Sequence, residues 1–259
     1  MLDFITWDIS PQLFEWGPIE VRWYGLLFAT SFVAGYLIMQ MIFKKEGISI
    51  EVLDKLATYM VVATVVGARL GHCLFYQPDY YLSNPIEILK IWEGGLASHG
   101  AAVAIILGLW LFARYQKKPY LWVLDRIVIV VALAGVFIRT GNLMNSEIYG
   151  NVTDMPWGFI FVQAGEYTPK HPTQIYEALS YLLIFAYLLY YYFKTDGKPA
   201  AGRIFGIFLV TLFGMRFLIE FVKEDQVAFE AAMSLNMGQL LSIPFVLSGI
   251  FLIIRSLKK

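Results

Sequence analysis

Seven runs of about 20 mostly apolar residues constrain this chain more than any other feature. They cover 23–43, 56–76, 98–115, 121–138, 174–193, 203–222 and 237–254. In hydrocarbon each backbone N–H and C=O must be satisfied inside its own segment, so a run of this length is expected to be a transmembrane helix. The shortest run is 98–115 and the most polar is 203–222. The expected fold is an all-α polytopic membrane protein, one membrane domain over 1–259 with seven spans. Composition agrees, with 58% hydrophobic and only 15% charged residues, against about 45–50% and about 25% in soluble domains. A net charge of zero gives no reason to expect a nucleic-acid partner. The single Cys73 excludes an internal disulfide and a cysteine-based metal cluster. The opening "MLDFITWDISPQLFEW" lacks the basic start and apolar core of a signal peptide, and its Trp and Phe among acids suggest an interfacial segment.

Basic residues set the orientation. Lys44, Lys45, Arg114, Lys117, Lys118, Lys194, Lys198, Arg203, Arg255, Lys258 and Lys259 flank one set of span ends. The other set has only Arg22, Lys90, Lys170 and Lys223, and is richer in acids. The N-terminus is therefore expected outside and the C-terminus in the cytoplasm. The outer loops read as a small cap built from 78–96 and 145–172. The first holds an Asn84-Pro85 helix start, and the second the alternating "WGFIFVQ", a candidate short strand.

Charges inside spans are costly and usually face the bundle interior. Here they share one depth. Tyr24, Arg69, His72, His99, Arg139, Asn142, Glu147, His171, Gln174, Tyr176, Glu177, Arg216, Glu220, Asn236 and Gln239 all fall at the outer ends, while the inner halves are nearly pure apolar. Asp125 and Arg126 are the exceptions, and read as a structural anchor. The pattern describes a polar cavity in the outer half of a bilayer. Arg216 and Glu220, four apart on one helix face, could be a register-fixing ion pair or part of a site. Arg69, between Gly67 and Gly71, could equally pin a close helix contact. His99 alone would read as an interfacial histidine, and Gly94, Gly95 and Gly100 beside it permit close backbone approach. His72 next to Cys73 reads as core packing. Arginines with amide donors suit a phosphate, because a guanidinium grips it bidentately and keeps its charge. No nucleophile elbow, metal-spaced His cluster or phosphate-binding Gly-rich loop is present. A transporter would need polar lining in the inner halves, and an intramembrane protease a serine or an aspartate pair at depth.

The segment "RTGNLMNSEIYG" (139–150) closely resembles the signature of bacterial prolipoprotein diacylglyceryl transferases. "VRWYGLLF", "GARLGHCLFY", "GGLASHG", "HPTQIYEA", "RFLIEF" and "GQLLS" follow that family's order along most of the chain. Three positions depart from its pattern: Ile138 for a glycine, Leu143 for a phenylalanine, and Leu212 where a tyrosine is common. The resemblance implies an enzyme of the bacterial cytoplasmic (inner) membrane, working toward the outer leaflet, without a cofactor or metal, and acting as a monomer. It would move the diacylglyceryl group of phosphatidylglycerol to the lipobox cysteine of a prolipoprotein and release glycerol phosphate. By motif, Arg139 and Arg216 would grip the phosphate, and His99 would be the base or orient the headgroup. Glu147 and Glu220 would position the arginines or bind glycerol hydroxyls. Tyr24, Asn142, Asn145 and Gly150 would complete the pocket, with Arg69 and Gly100 contributing to substrate binding.

Overall fold

The computed structural model describes residues 4–17, 19–225, 230 and 233–258. Seven long helices follow one another: α1 (Trp23–Lys45), α2 (Ile50–Phe75), α4 (Ser98–Tyr115), α5 (Tyr120–Met144), α6 (Thr173–Lys194), α7 (Arg203–Ile219) and α8 (Met237–Leu257), with a short α3 (Pro78–Ser83) after α2. Six of the long helices are apolar and long enough to cross a membrane, which makes this a multi-pass membrane protein. The remaining one is α2. At 26 residues it is long enough, but it is not among those six.

Helix ends moved where the expectation relied on apolarity alone. Helix α5 continues to Met144, six residues past the apolar run, so Arg139 and Asn142 lie on the helix rather than beyond it. Their polar partners are inside the protein, and the helix need not end where its apolarity does. Helix α7 stops at Ile219, and Glu220–Val222 is a 3-10 turn. Asn84-Pro85 opens a 3-10 turn over Pro85–Leu89, not an α-helix.

The N-terminal segment, expected at an interface, is built of short strands. Strand β1 (Ile5–Trp7) pairs in parallel with β4 (Phe159–Phe161), the strand anticipated in "WGFIFVQ", in the register Ile5 to Phe159 and Trp7 to Phe161. Strands β2 (Gln12–Trp16) and β3 (Ile19–Arg22) pair antiparallel. Phe159 and Phe161 join Leu143 in a small core flanked by Trp7, Tyr149 and Ile175.

The chain forms two compact units, 1–38 with 125–259, and 39–124. In the 39–124 unit, Ile42, Phe43, Leu53, Leu56, Leu109, Phe112 and Val123 are buried. Glycines bring α2 and α4 together: a Cβ on Gly71 would lie 2.6 Å from the Gly100 Cα. Lipid tails are as apolar as leucine, so close packing over small residues, rather than hydrophobic drive, holds such a pair. In the larger unit, Gly206 and Gly249 bring α7 and α8 together in the same way, and Phe213 stacks on Phe245 at 4.3 Å. Asp125 and Arg126 anchor one turn between them. Asp125 accepts hydrogen bonds from the backbone N–H of Gly202 (2.7 Å) and Phe205 (2.9 Å), a carboxylate at the N-terminus of α7. Arg126 donates to the Gly197 carbonyl at 3.3 Å.

Candidate active site

In the larger unit the polar ends of five helices converge. Arg139 of α5 and Glu177 of α6 form its centre, an ion pair with Nε 2.8 Å from Oε2. The Glu177 side chain is 0% exposed and that of Arg139 14%, so neither charge is left to bulk water. Removing one partner of such a pair costs about 3–5 kcal/mol, because the other is left buried and uncompensated. Lys223, almost fully buried after α7, approaches both Glu177 (3.5 Å) and Glu220 (3.4 Å). Glu220 thus takes Lys223 as its partner and packs against Gly238 of α8. Helix α8 starts on a capping box between Asn236 and Gln239. Tyr24, in the first turn of α1, lies on the bare backbone of Gly141, where a Cβ would come within 2.8 Å of its ring.

The segment after α5 is organised around Glu147. Its Oε1 accepts from Asn142 (2.8 Å) and Asn145 (3.2 Å), and Asn142 Oδ1 accepts from Arg139 (3.2 Å). One chain of contacts therefore runs from Glu147 through Asn142 and Arg139 to Glu177. Gly150 is wedged among Val222, His171 and Thr173 and donates its N–H to the His171 carbonyl (2.8 Å). Gly150 also bridges to Lys223, tying this segment to the end of α7. Buried Asn145 Oδ1, Ser146 Oγ and Gln174 Oε1 have no protein partner. Each such atom costs about 1–3 kcal/mol if nothing else satisfies it.

Arg216 differs from Arg139. Its guanidinium has no hydrogen bond or ion pair among the described residues, and it stands on α7, which packs against α6 in the same unit. This unit thus holds one salt-bridged arginine and one with unspent donors. Five N–H donors in a planar fork are well matched to a phosphate or a carboxylate.

The remaining sequence candidates lie in the 39–124 unit. Arg69 is buried and spends its donors on backbone carbonyls: Ile88 (2.9 Å), Gly94 (2.7 Å) and Glu87 (2.5 Å), with its guanidinium 5.0 Å from the Tyr81 ring. Gly100 is packed against Gly67 and Gly71. His99 is exposed in the first turn of α4, with the rings of Tyr76 and Phe75 at 5.6 and 6.0 Å. His72 stacks on Tyr76, and Cys73 is fully buried.

Outside the spans, Tyr149 donates to Glu166 (2.8 Å), and burial together with that carboxylate pushes the phenol up to about 12. Burial holds the His171 imidazole below its ordinary value, so it is neutral at pH 7. Its Nδ1 lies 3.1 Å from the Tyr176 hydroxyl, which accepts from Trp157 Nε1 at 2.8 Å. Among the described residues, no three His, Cys, Asp or Glu side chains gather closely enough to hold a metal ion.

Known proteins share this sequence over nearly its whole length. A family profile described as prolipoprotein diacylglyceryl transferase matches residues 11–255. The chain belongs to the prolipoprotein diacylglyceryl transferase family. The phosphatidylglycerol–prolipoprotein diacylglyceryl transferase of Tolumonas auensis is 52% identical over 98% of both chains. Proteins of the same name from Porphyromonas gingivalis and Chloroherpeton thalassium are 48% and 45% identical, over 98% and 99% of this chain and 95% and 96% of theirs. Around this centre, Tyr181 and Lys223 are the residues that the sequence does not single out for the cavity, whereas Glu177 is read there as one of its polar groups. The spacing held a signal for each: Tyr181 lies four residues after Glu177, and Lys223 three after Glu220. Leu212 brings no hydroxyl to α7, whereas Tyr181 of α6 brings a buried one.

Proposed function

We propose that this chain transfers the diacylglyceryl group of phosphatidylglycerol to the lipobox cysteine of a prolipoprotein, in a bacterial cytoplasmic membrane, as a single chain of seven spans. The observation that carries the site assignment is the unspent guanidinium of Arg216, in the same compact unit as the buried Arg139–Glu177 ion pair. In the reaction the substrate's cysteine sulfur attacks the diacylglyceryl carbon that bears the phosphate ester. A C–S bond forms, the C–O bond breaks, and the electron pair leaves on glycerol phosphate while the thiol proton goes to a base. Charge develops on the departing phosphate, so a cation held ready for it lowers the barrier. Arg216 has the donors to take that charge. Glu177 and Asn142 hold Arg139 as a fixed positive group, which costs no reorganisation when the reaction occurs. Glu147 is presented by two amides and is the group for the glycerol hydroxyls. Glu220 neutralises Lys223. Arg69 holds the loop 87–95, and Gly100 the α2–α4 contact.

A cysteine thiol has a pKa of about 8.5, so the step needs a base or a positive field. His99 is exposed and is our candidate base. His171 makes a poor one, because its Nδ1 is occupied by Tyr176. The active face belongs to the outer leaflet, with the N-terminus outside and the C-terminus in the cytoplasm. The test is incubation of the purified chain with phosphatidylglycerol and a lipobox peptide. A thioether-linked diacylglyceryl mass on the peptide cysteine, with release of glycerol phosphate, is expected. Unmodified peptide with active substrates overturns the assignment.

A further inference from the structure

The turn that presents Glu147 is strained. Ser146 has φ +51° and Ile148 φ +60°, in the left-handed region that side chains rarely adopt, least of all a β-branched one. Such backbone persists only where its surroundings over-determine it, and it clusters where a side chain must be held for function. Two buried side chains in the first turn of α6 hold it here. Gln174 Nε2 donates to the Glu147 carbonyl at 2.7 Å, and Thr173 Oγ1 donates to the Ile148 carbonyl at 2.9 Å. Both residues are fully buried. The Glu147 carboxylate spends Oε1 on the Asn142 and Asn145 amides, and no protein group among the described residues bonds its Oε2. Asn145 Oδ1, Ser146 Oγ and Gln174 Oε1 are buried close by in sequence or contact, also without a protein partner. This turn therefore offers acceptors, the complement of a polyol, while the arginines offer only donors, the complement of a phosphate.

We infer that Thr173 and Gln174 are positioning residues for headgroup selection: by pinning the carbonyls on either side of the strained turn, they keep Glu147 and its neighbouring acceptors set for the glycerol hydroxyls of the phospholipid. This rests on the phosphate assignment above. The phosphate and the glycerol are read by separate groups, so they can be tested separately. Transfer by the full chain in proteoliposomes is competed with glycerol phosphate and, in parallel, with inorganic phosphate, which lacks the hydroxyls. For Thr173→Val and Gln174→Leu we expect the inhibition constant of glycerol phosphate to rise at least about fivefold relative to that of phosphate, the weight of one neutral hydrogen bond. Thr173→Ser, which keeps the donor, restores the ratio. A ratio unchanged in both variants, or lost equally in Thr173→Ser, overturns the inference. If neither compound competes with the wild-type chain, the phosphate assignment itself falls and takes this one with it. Where a variant transfers too slowly for competition, the shift of its thermal midpoint by each compound reads the same ratio.

Discussion

Arg216 and Arg139 carry the same charge in different circumstances, and substitution separates them. Arg216 has donors to spare, so Arg216→Ala removes a contact made to the substrate and its leaving group and leaves the resting protein intact. We expect kcat/KM to fall at least about a hundredfold, the usual weight of one such donor, with a melting temperature within a few degrees of wild type. Transfer within a few-fold of normal sinks the assignment. Glu177→Gln acts in the opposite order. It leaves Arg139 and Lys223 facing each other without the buried carboxylate, so stability falls by about 3–5 kcal/mol, visible as a lowered thermal midpoint before any kinetic measurement. Tyr149 gives a pH signature. Its folded value is about 12, raised from the ordinary 10.0. The folded state thus favours the neutral phenol, and the stability it contributes is complete below pH 10 and lost as pH rises through about 12. The thermal midpoint should decline more steeply across pH 10–12 in wild type than in Tyr149→Phe; parallel declines refute the coupling.

Among the elements, the stretch after α2 depends most on a single side chain. Arg69 bonds the carbonyls of Glu87, Ile88 and Gly94, and so ties down the two short 3-10 turns of this stretch. In Arg69→Ala those turns should open and trypsin should cut after Lys90, while wild type resists under the same conditions. The α2–α4 seam responds to bulk: Gly100→Leu should cost about 1–3 kcal/mol by forcing the helices apart. Much of this was legible beforehand. Helix order, a strand in "WGFIFVQ" and the polar ends of the helices follow from period and charge, because those depend on local sequence. Two things were not legible. Helix α5 outruns its apolar stretch because Arg139 finds Glu177, a partner 38 positions away that no local pattern announces. For Arg69 two readings stood level in the sequence. The contacts that separate them run to backbone carbonyls, which have no residue identity to read.

At the scale of the molecule, the number of spans decides where the ends of the chain lie. Six helices meet the requirement by length and apolarity, and α2 does not. The excess of Lys and Arg at alternate ends is the ground on which we propose that α2 crosses as well. With seven crossings, a fluorescent protein fused after Lys259 should fluoresce in the cytoplasm and a periplasmic phosphatase fused there should be inactive. The phosphatase should be active when fused at the N-terminus behind a secreted leader. Both ends reporting from the same side removes α2 from the membrane.

The pairing of β1 with β4 has a consequence for how the chain is made. Ile5 leaves the ribosome early, but its partner Phe159 follows only after four long helices have been synthesised, and Trp7 Nε1 waits for the Leu143 carbonyl, 136 residues later, at 3.0 Å. Contacts so distant in sequence form late, because loop closure must come before they repay anything. Insertion of the helices can thus proceed step by step while the first strand stays idle. Its docking is the stitch that closes the fold, and it reports that everything up to β4 has arrived in order.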